Sequence, residues 1–151
     1  MVDQLDLVVA GGGIAGLTAG LTAARLGRTS LILTGHMPGG NLLSIECIEG
    51  YPGYPDGIPG YKLCPAVQEQ AAAAGAAFAM TEATGLQADG DGWRVLTGEG
   101  DHRARAVIVA TGTRPMELGV PGEERLRGKG VSHCASCDAP LLRGRSVAIV
   151  G

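Results

Sequence analysis

Residues Leu5–Ala10 (LDLVVA) form a short apolar run that stops at three glycines, Gly11, Gly12 and Gly13. Beyond them Ile14, Leu17, Leu21 and Ala24 recur at helical spacing as far as Gly27, and Ser30–Leu33 (SLIL) is a second short apolar run. The pattern predicts a strand, a glycine turn, a helix and a second strand. A unit this small sets its two strands parallel with a right-handed crossover, so the chain opens as an α/β fold.

The next stretch, Thr34 to Gly60, is rich in glycine and proline, with four of the eight prolines between Met37 and Gly60. It predicts one long ordered loop, and long loops inside compact domains usually serve function. Lys62 to Gly75 reads as an alanine-rich helix and Ala76 to Met80 as a strand. Leu86–Ala88, Trp93–Thr97 and Asp101–Arg105, parted by Asp-Gly and Gly-Glu-Gly turns, predict a small antiparallel meander. Ala106–Ala110 (AVIVA) reads as a separate buried strand running into Thr111-Gly112. Arg114-Pro115 to Gly122 has the character of a crossing linker that turns at Val120-Pro121-Gly122. A last apolar run, Val147–Val150, closes on Gly151 and repeats the way the chain began. It is expected to be the first strand of a second nucleotide-binding unit.

Composition narrows the classes. A chain of 151 residues is one domain, or one and part of another. With 18% charged residues and a net charge of −3, it is neither a disordered polyelectrolyte nor a reader of nucleic-acid backbone. The 26 glycines fall at punctuation points between apolar runs, so they are positional, not low-complexity sequence. Asp3 and Asp6 stand where a secretory signal needs bases, and no window approaches the roughly 18 apolar residues that cross a bilayer. These features point to a soluble, cytoplasmic protein without membrane or nucleic-acid partners.

Candidate chemistry sits in two places. Gly11-x-Gly13-x-x-Gly16 follows a strand and opens a helix, the setting in which the pattern has a mechanism. The first glycine permits a tight turn, the second lets backbone approach a pyrophosphate, and the third lets helix pack on strand, with Gly20 extending that small face. A plain packing turn is the competing reading. The generic fingerprint also sets an acid roughly 20 residues on, at the end of the second strand, to hold a ribose hydroxyl. Here that place reads Leu33-Thr34-Gly35-His36. Without an acid, the fingerprint does not choose between NAD and FAD.

The second place is Cys134-Ala135-Ser136-Cys137-Asp138. A structural zinc would need two more ligands, and Cys47, Cys64, His36, His102 and His133 form no second spaced pair, so no metal is expected. Two inert thiols, or a redox pair whose spacing closes a small disulfide ring, remain. A flavin is the natural two-electron relay between a nicotinamide and such a dithiol. Asp138 could exchange a proton with a departing or attacking thiol, or be a plain turn or capping residue. His133 could do similar work but reads more simply as a neighbour, and Cys47 and Cys64 read as ordinary thiols.

Taken together, the segments GGGIAGLTAGLTAARLG, LTGHMPGGNL, IEGYPGYPDGIPGYKL, AVIVATGTRPMELGVPGEERLRGKGVSHCASCD and RGRSVAIVG resemble the thioredoxin reductase family, in its low-molecular-weight flavoprotein type. The resemblance implies a Rossmann-like FAD-binding domain, a parallel sheet with a small antiparallel meander, followed by the start of a second nucleotide-binding domain. Residues 1–116 would be the N-terminal part of the FAD domain, 117–124 a linker, and 125–151 the start of an NAD(P)H-binding domain carrying the cysteines. It implies FAD as cofactor and NADPH or NADH as electron donor. Gly11, Gly13, Ile14, Ala15 and Gly16 would line the FAD pyrophosphate, and Thr34 and Gly35 the adenosine end. Gly39, Gly40 and Asn41 would approach the isoalloxazine and ribityl region, and Ala110, Thr111 and Gly112 would close over the flavin. Cys137 would be the flavin-proximal sulfur, Cys134 the thiol that exchanges with substrate, and Asp138 the acid/base.

The implied activity is that of a disulfide reductase passing electrons from NAD(P)H to a thioredoxin-like protein or a small disulfide, in an enzyme that is commonly a homodimer. Four positions depart from the family pattern: Asn41 replaces the usual Gln, Gly50 the usual Asn, and Ala139-Pro140 the usual Gly-aromatic pair. A flavin-dependent dithiol oxidase, a flavoprotein partner of peroxiredoxins, and a non-catalytic FAD-binding fragment ending at Gly151 stay open as alternatives.

Overall fold

The computed structural model describes residues 4–150, apart from the side chains of Ser136 and Cys137. Two compact units divide between Gly112 and Thr113.

The first unit is built on a six-stranded sheet of order β3-β2-β1-β6-β5-β4. Strand β1 (Leu5–Ala10), helix α1 (Ile14–Arg25) and β2 (Ser30–Leu33) form as their apolar pattern dictates, with β1 and β2 parallel. All four residues of β2 are buried, as a strand covered on both faces requires. Helix α2 (Gly60–Ala73) begins two residues earlier than its alanine-rich text suggests, because Pro59 is preset for the position that caps it. Its chain returns as β3 (Ala77–Ala79), parallel to β2.

The meander is longer and more continuous than its turns imply. β4 (Ala83–Asp89), β5 (Gly92–Thr97) and β6 (His102–Val109) pair antiparallel in sequence. The runs expected as two strands, 101–105 and 106–110, are one. β6 pairs antiparallel with β5 through His102–Ala104, and its onward half pairs parallel with β1 from Ala104 to Val109. One strand thus welds the meander to the parallel sheet. Nor is Ala106–Ala110 buried: Ile108 is 41% and Val109 68% exposed. Past Ala104 this strand has no β5 beside it, and an open groove lined by Leu7, Ala15, Ala106 and Ile108 runs between it and α1.

On one face of the sheet, Leu7, Val9 and Ile32 pack against Leu17 and Leu21 of α1 and Cys64 and Ala71 of α2. Leu17 is fully buried, which is worth about 1.5–3 kcal/mol. The other face gathers Val8, Leu31, Leu33, Val95 and Ala104. The long loop is ordered by a single 3-10 turn at Gly40–Ser44 and by a bridge between Ile48 and Ile58.

The second unit holds two short helices, α3 (Glu123–Leu126) and α4 (Ala135–Asp138), with a 3-10 turn at Ala139–Leu142. Val147–Val150 is not a strand. Its residues are exposed, Ile149 at 91%, and no neighbour supplies ladder bonds among the described residues. Gly151, on which that run was expected to close, lies outside the described residues.

Candidate functional site

The glycine turn stands where β1, β2 and β6 end, the edge at which parallel α/β sheets collect ligands. Gly11 adopts φ +121°, and a Cβ there would collide with the Ala110 carbonyl, so only glycine lets β1 turn against the exit of β6. The Ala110 N–H donates to the Ala10 carbonyl at 2.8 Å, which brings Ala110 and Thr111 to the same turn. A Cβ on Gly16 would strike the Gly11 carbonyl, and one on Gly20 the Ile32 side chain. These two glycines set how closely α1 lies on the sheet.

Gly13 differs from both. It has ordinary extended backbone at φ −76° and ψ 178°, and a Cβ there would meet nothing within 4 Å. It caps α1, whose first turn carries neither a side-chain cap nor an acidic residue. The helix start therefore faces open space with unclaimed N–H groups and the positive end of its dipole. That geometry fits an anion such as a pyrophosphate: there is room for it, a backbone able to touch it, and no acidic side chain in the helix's own first turn.

The long loop folds back over this cradle. The Gly39 N–H donates to the Gly12 carbonyl at 2.8 Å, Gly39 bridges Gly13 in parallel, and a Cβ on Gly40 would sit 3.4 Å from the Gly13 Cα. Asn41 follows as an exposed residue in the 3-10 turn. On the other flank, a Cβ on Gly12 would fall 2.7 Å from the Cα of Thr34. Thr34 is buried, its N–H donating to the Ala79 carbonyl at 2.9 Å. The structure thus gathers Gly11, Gly13, Ile14, Ala15, Gly16, Thr34, Gly35, Gly39, Gly40, Ala110 and Thr111 around one turn. Gly112 closes the unit, exposed, at φ +73°.

Two residues at this site make contacts that the sequence pattern does not predict, Cys64, which reads there as an ordinary thiol, and Glu82. The buried Cys64 thiol donates to the Gly39 carbonyl at 3.4 Å, and burial pushes its pKa up. Glu82 approaches Gly35, its Oε1 lying 3.5 Å from where a Gly35 Cβ would be. Neither belongs to a motif, so only the folded chain reveals them.

In the second unit, Cys134 is disulfide-bonded, whereas Cys47 and Cys64 are free. The Cys134 N–H donates to the Ser132 hydroxyl at 3.1 Å, and the Asp138 N–H donates to the Cys134 carbonyl at 3.1 Å. Asp138 thus closes the single turn of α4 that Cys134 precedes. The role expected of Cys137 rests on a side chain outside the described residues. His133 places Nε2 3.7 Å from Oε1 of the buried Glu123, so it has a structural partner of its own. Among the described residues no group of three or more His, Cys, Asp or Glu side chains forms a metal cluster, and no helix is long and apolar enough to cross a membrane.

Residues 5–151 match the family model described as pyridine nucleotide-disulphide oxidoreductase. The chain belongs to that family. Within the pyridine nucleotide-disulphide oxidoreductases, its likeness to thioredoxin reductases runs the length of the chain. It is 36% identical to the thioredoxin reductase of Treponema pallidum over 151 residues, all of this chain and 49% of that protein. To the thioredoxin reductase of Mycolicibacterium smegmatis it is 40% identical, over 97% of this chain and 47% of the relative. The crystal structure of Lactococcus lactis thioredoxin reductase superposes with a TM-score of 0.79 at 35% identity, covering 93% of this chain and 46% of that one. The chain spans about half the length of the curated relatives it matches. The Rossmann-like α/β architecture with an antiparallel meander, expected from the sequence, is the fold of these neighbours.

Proposed function

We propose that this chain carries the FAD-binding and redox-disulfide portion of a flavoprotein disulfide reductase, which takes electrons from NADPH or NADH and delivers them to a thioredoxin-like protein. The observation that carries the reading is the open space over Gly13, enclosed by Gly11, Gly39, Gly40 and Ala110 at the uncapped start of α1. Gly11, Gly13, Ile14, Ala15 and Gly16 would line the FAD pyrophosphate, Gly11 by turning the chain, since its own N–H donates to the Leu33 carbonyl, and the start of α1 through backbone N–H groups. Thr34 and Gly35 would meet the adenosine end, Gly39, Gly40 and Asn41 the ribityl and ring region, and Ala110, Thr111 and Gly112 would lie over the flavin. Bound FAD supplies a two-electron relay between a nicotinamide and a dithiol.

The chain's own residues carry the exchange. In the reduced pair, the Cys134 thiolate attacks one sulfur of the substrate disulfide, and the other sulfur leaves as a thiolate. Asp138, next to the pair, donates a proton to it. Cys137, deprotonated in turn, displaces the Cys134-bound sulfur, so the substrate departs as a dithiol and Cys134–Cys137 becomes the disulfide. Two electrons and two protons pass in all. A cytoplasmic setting, read from the sequence, and a homodimeric enzyme, implied by the family resemblance, accompany this reading.

The test is a visible absorption spectrum of the purified chain during anaerobic titration with a dithiol. Flavin bands that bleach as thiol is added, and that persist without bleaching in Cys137→Ser, are the expected result. A colourless chain overturns the flavin reading. Oxygen consumption driven by the dithiol alone would make the chain part of an oxidase.

A further inference from the structure

We infer that Glu82, reaching across from the connection between β3 and β4, supplies the carboxylate that binds the ribose hydroxyls at the adenosine end of FAD. The inference rests on the flavin reading above and deepens it. Dinucleotide-binding units of this shape hold the ribose with an acid at the end of β2. Here β2 ends in Thr34 and Gly35, and Gly35 has no side chain to offer.

The chain fills that place from another element. The Gly35 N–H donates to the Thr81 carbonyl at 3.1 Å, which holds the exit of β3 alongside the end of β2. Glu82 is the next residue, and its Cγ and Oε1 both lie 3.5 Å from the position of a Gly35 Cβ. Gly35 adopts φ +66°, a backbone that glycine takes without strain and that leaves the carboxylate unobstructed. Gly12 ties this corner to the cradle through its close approach to Thr34. Glu82 is exposed and has no hydrogen-bond or ion-pair partner among the described residues. A free carboxylate flanking a pyrophosphate cradle suits one kind of group, neutral vicinal hydroxyls, each of which donates a hydrogen bond to it. It would repel a 2′-phosphate on the same ribose.

The test compares the flavin-freed wild-type chain with Glu82→Ala and Glu82→Gln, titrated with FAD, ADP and 2′,3′-dideoxy-ADP. A hydrogen bond to a charged group at an open site sets the expected loss at about tenfold for FAD and ADP in Glu82→Ala, and less in Glu82→Gln, which keeps an acceptor. The affinity for the dideoxy probe should be the same in all three proteins. Wild-type affinity for FAD in Glu82→Ala overturns the inference, and so does an equal loss for ADP and the dideoxy probe, which would mean a structural role. A wild-type chain that binds no FAD overturns the flavin reading and this inference together.

Discussion

The Cys64 thiol donates a hydrogen bond to the Gly39 carbonyl, 3.4 Å away, and so fastens α2 to the loop that crosses the glycine turn. Cys64 is 1% exposed, and Gly39 is itself held to Gly12 and Gly13. Replacing Cys64 with Ala removes the donor and leaves a small void, and should cost about 1–2 kcal/mol in urea unfolding. Cys64→Ser keeps the bond and should retain flavin better than Cys64→Ala. Because burial raises the thiol's pKa, its contribution to stability is complete below the ordinary thiol value of about 8.5 and is lost as pH rises through the folded value. Iodoacetamide at neutral pH should accordingly label the exposed Cys47 in the native chain and reach Cys64 only after denaturation.

Gly13 and Gly16 should respond differently to the same substitution. Gly16→Ala sets a Cβ against the backbone carbonyl of Gly11, which cannot swing aside, so the variant should unfold at a markedly lower temperature. Gly13→Ala meets no protein atom within 4 Å and needs no unusual φ, so its melting temperature should match the wild type. It should lose flavin, because the added methyl occupies the space left for the pyrophosphate. Equal flavin content in Gly13→Ala and wild type, read from the absorbance near 450 nm, would place the anion elsewhere.

How much of this was legible in the sequence depended on the range of each interaction. β1, the glycine turn, α1 and β2 follow from local periodicity and were read to within a residue or two. The glycine spacing also announces the cradle, since Gly16 packs on Gly11 within the turn itself, whereas the approach of Gly11 to Ala110 appears only in the folded chain. β6 reads as two strands because its switch of partners at Ala104, from β5 to β1, leaves no mark on its own residues. Val147–Val150 has the apolarity of a strand, but a strand also needs a partner to complete its ladder. The contacts of Glu82 and Cys64 leave no sequence signal for a related reason. The first acts beside Gly35 and the second on Gly39, contacts between elements that no motif spacing encodes.

Asp6 anchors the entry of β1 to the start of β2. Its Oδ2 accepts the Thr29 N–H at 2.9 Å, while its own N–H donates to the Thr29 hydroxyl at 2.9 Å, and Arg105 lies 3.5 Å from its Oδ1. The Thr29 hydrogen bonds, helped by Arg28 and Arg105, hold the carboxyl below its usual range. Stability from Asp6 is therefore present above the ordinary value of about 3.9 and is lost as pH falls through the folded value. Asp6→Asn should melt at a lower temperature than wild type at pH 7, and the gap should narrow on acidification to pH 3. A constant gap would mean that the charge is irrelevant.

Glu123 does comparable work in the second unit, where the chain turns toward the cysteine motif. Its Oε1 accepts the Leu118 N–H at 3.0 Å and its Oε2 the Gly119 N–H at 2.8 Å, so one carboxylate binds both amides of the preceding turn. His133, the residue before Cys134, faces the same Oε1 at 3.7 Å. The Leu118 bond leads the effects that lower its pKa, with Gly119 and His133 adding to it against the opposing cost of burial. The carboxylate form thus holds the turn above the ordinary value of about 4.3, and the hold is lost as pH falls through the folded value. Glu123→Ala strips both amides of their acceptor, so hydrogen exchange at Leu118 and Gly119 should accelerate at neutral pH by about tenfold, the equivalent of one lost hydrogen bond. In His133→Gln the two amides keep their acceptors and should stay protected, whereas loss of protection there would mean that the imidazole, not the turn, holds the carboxylate in place.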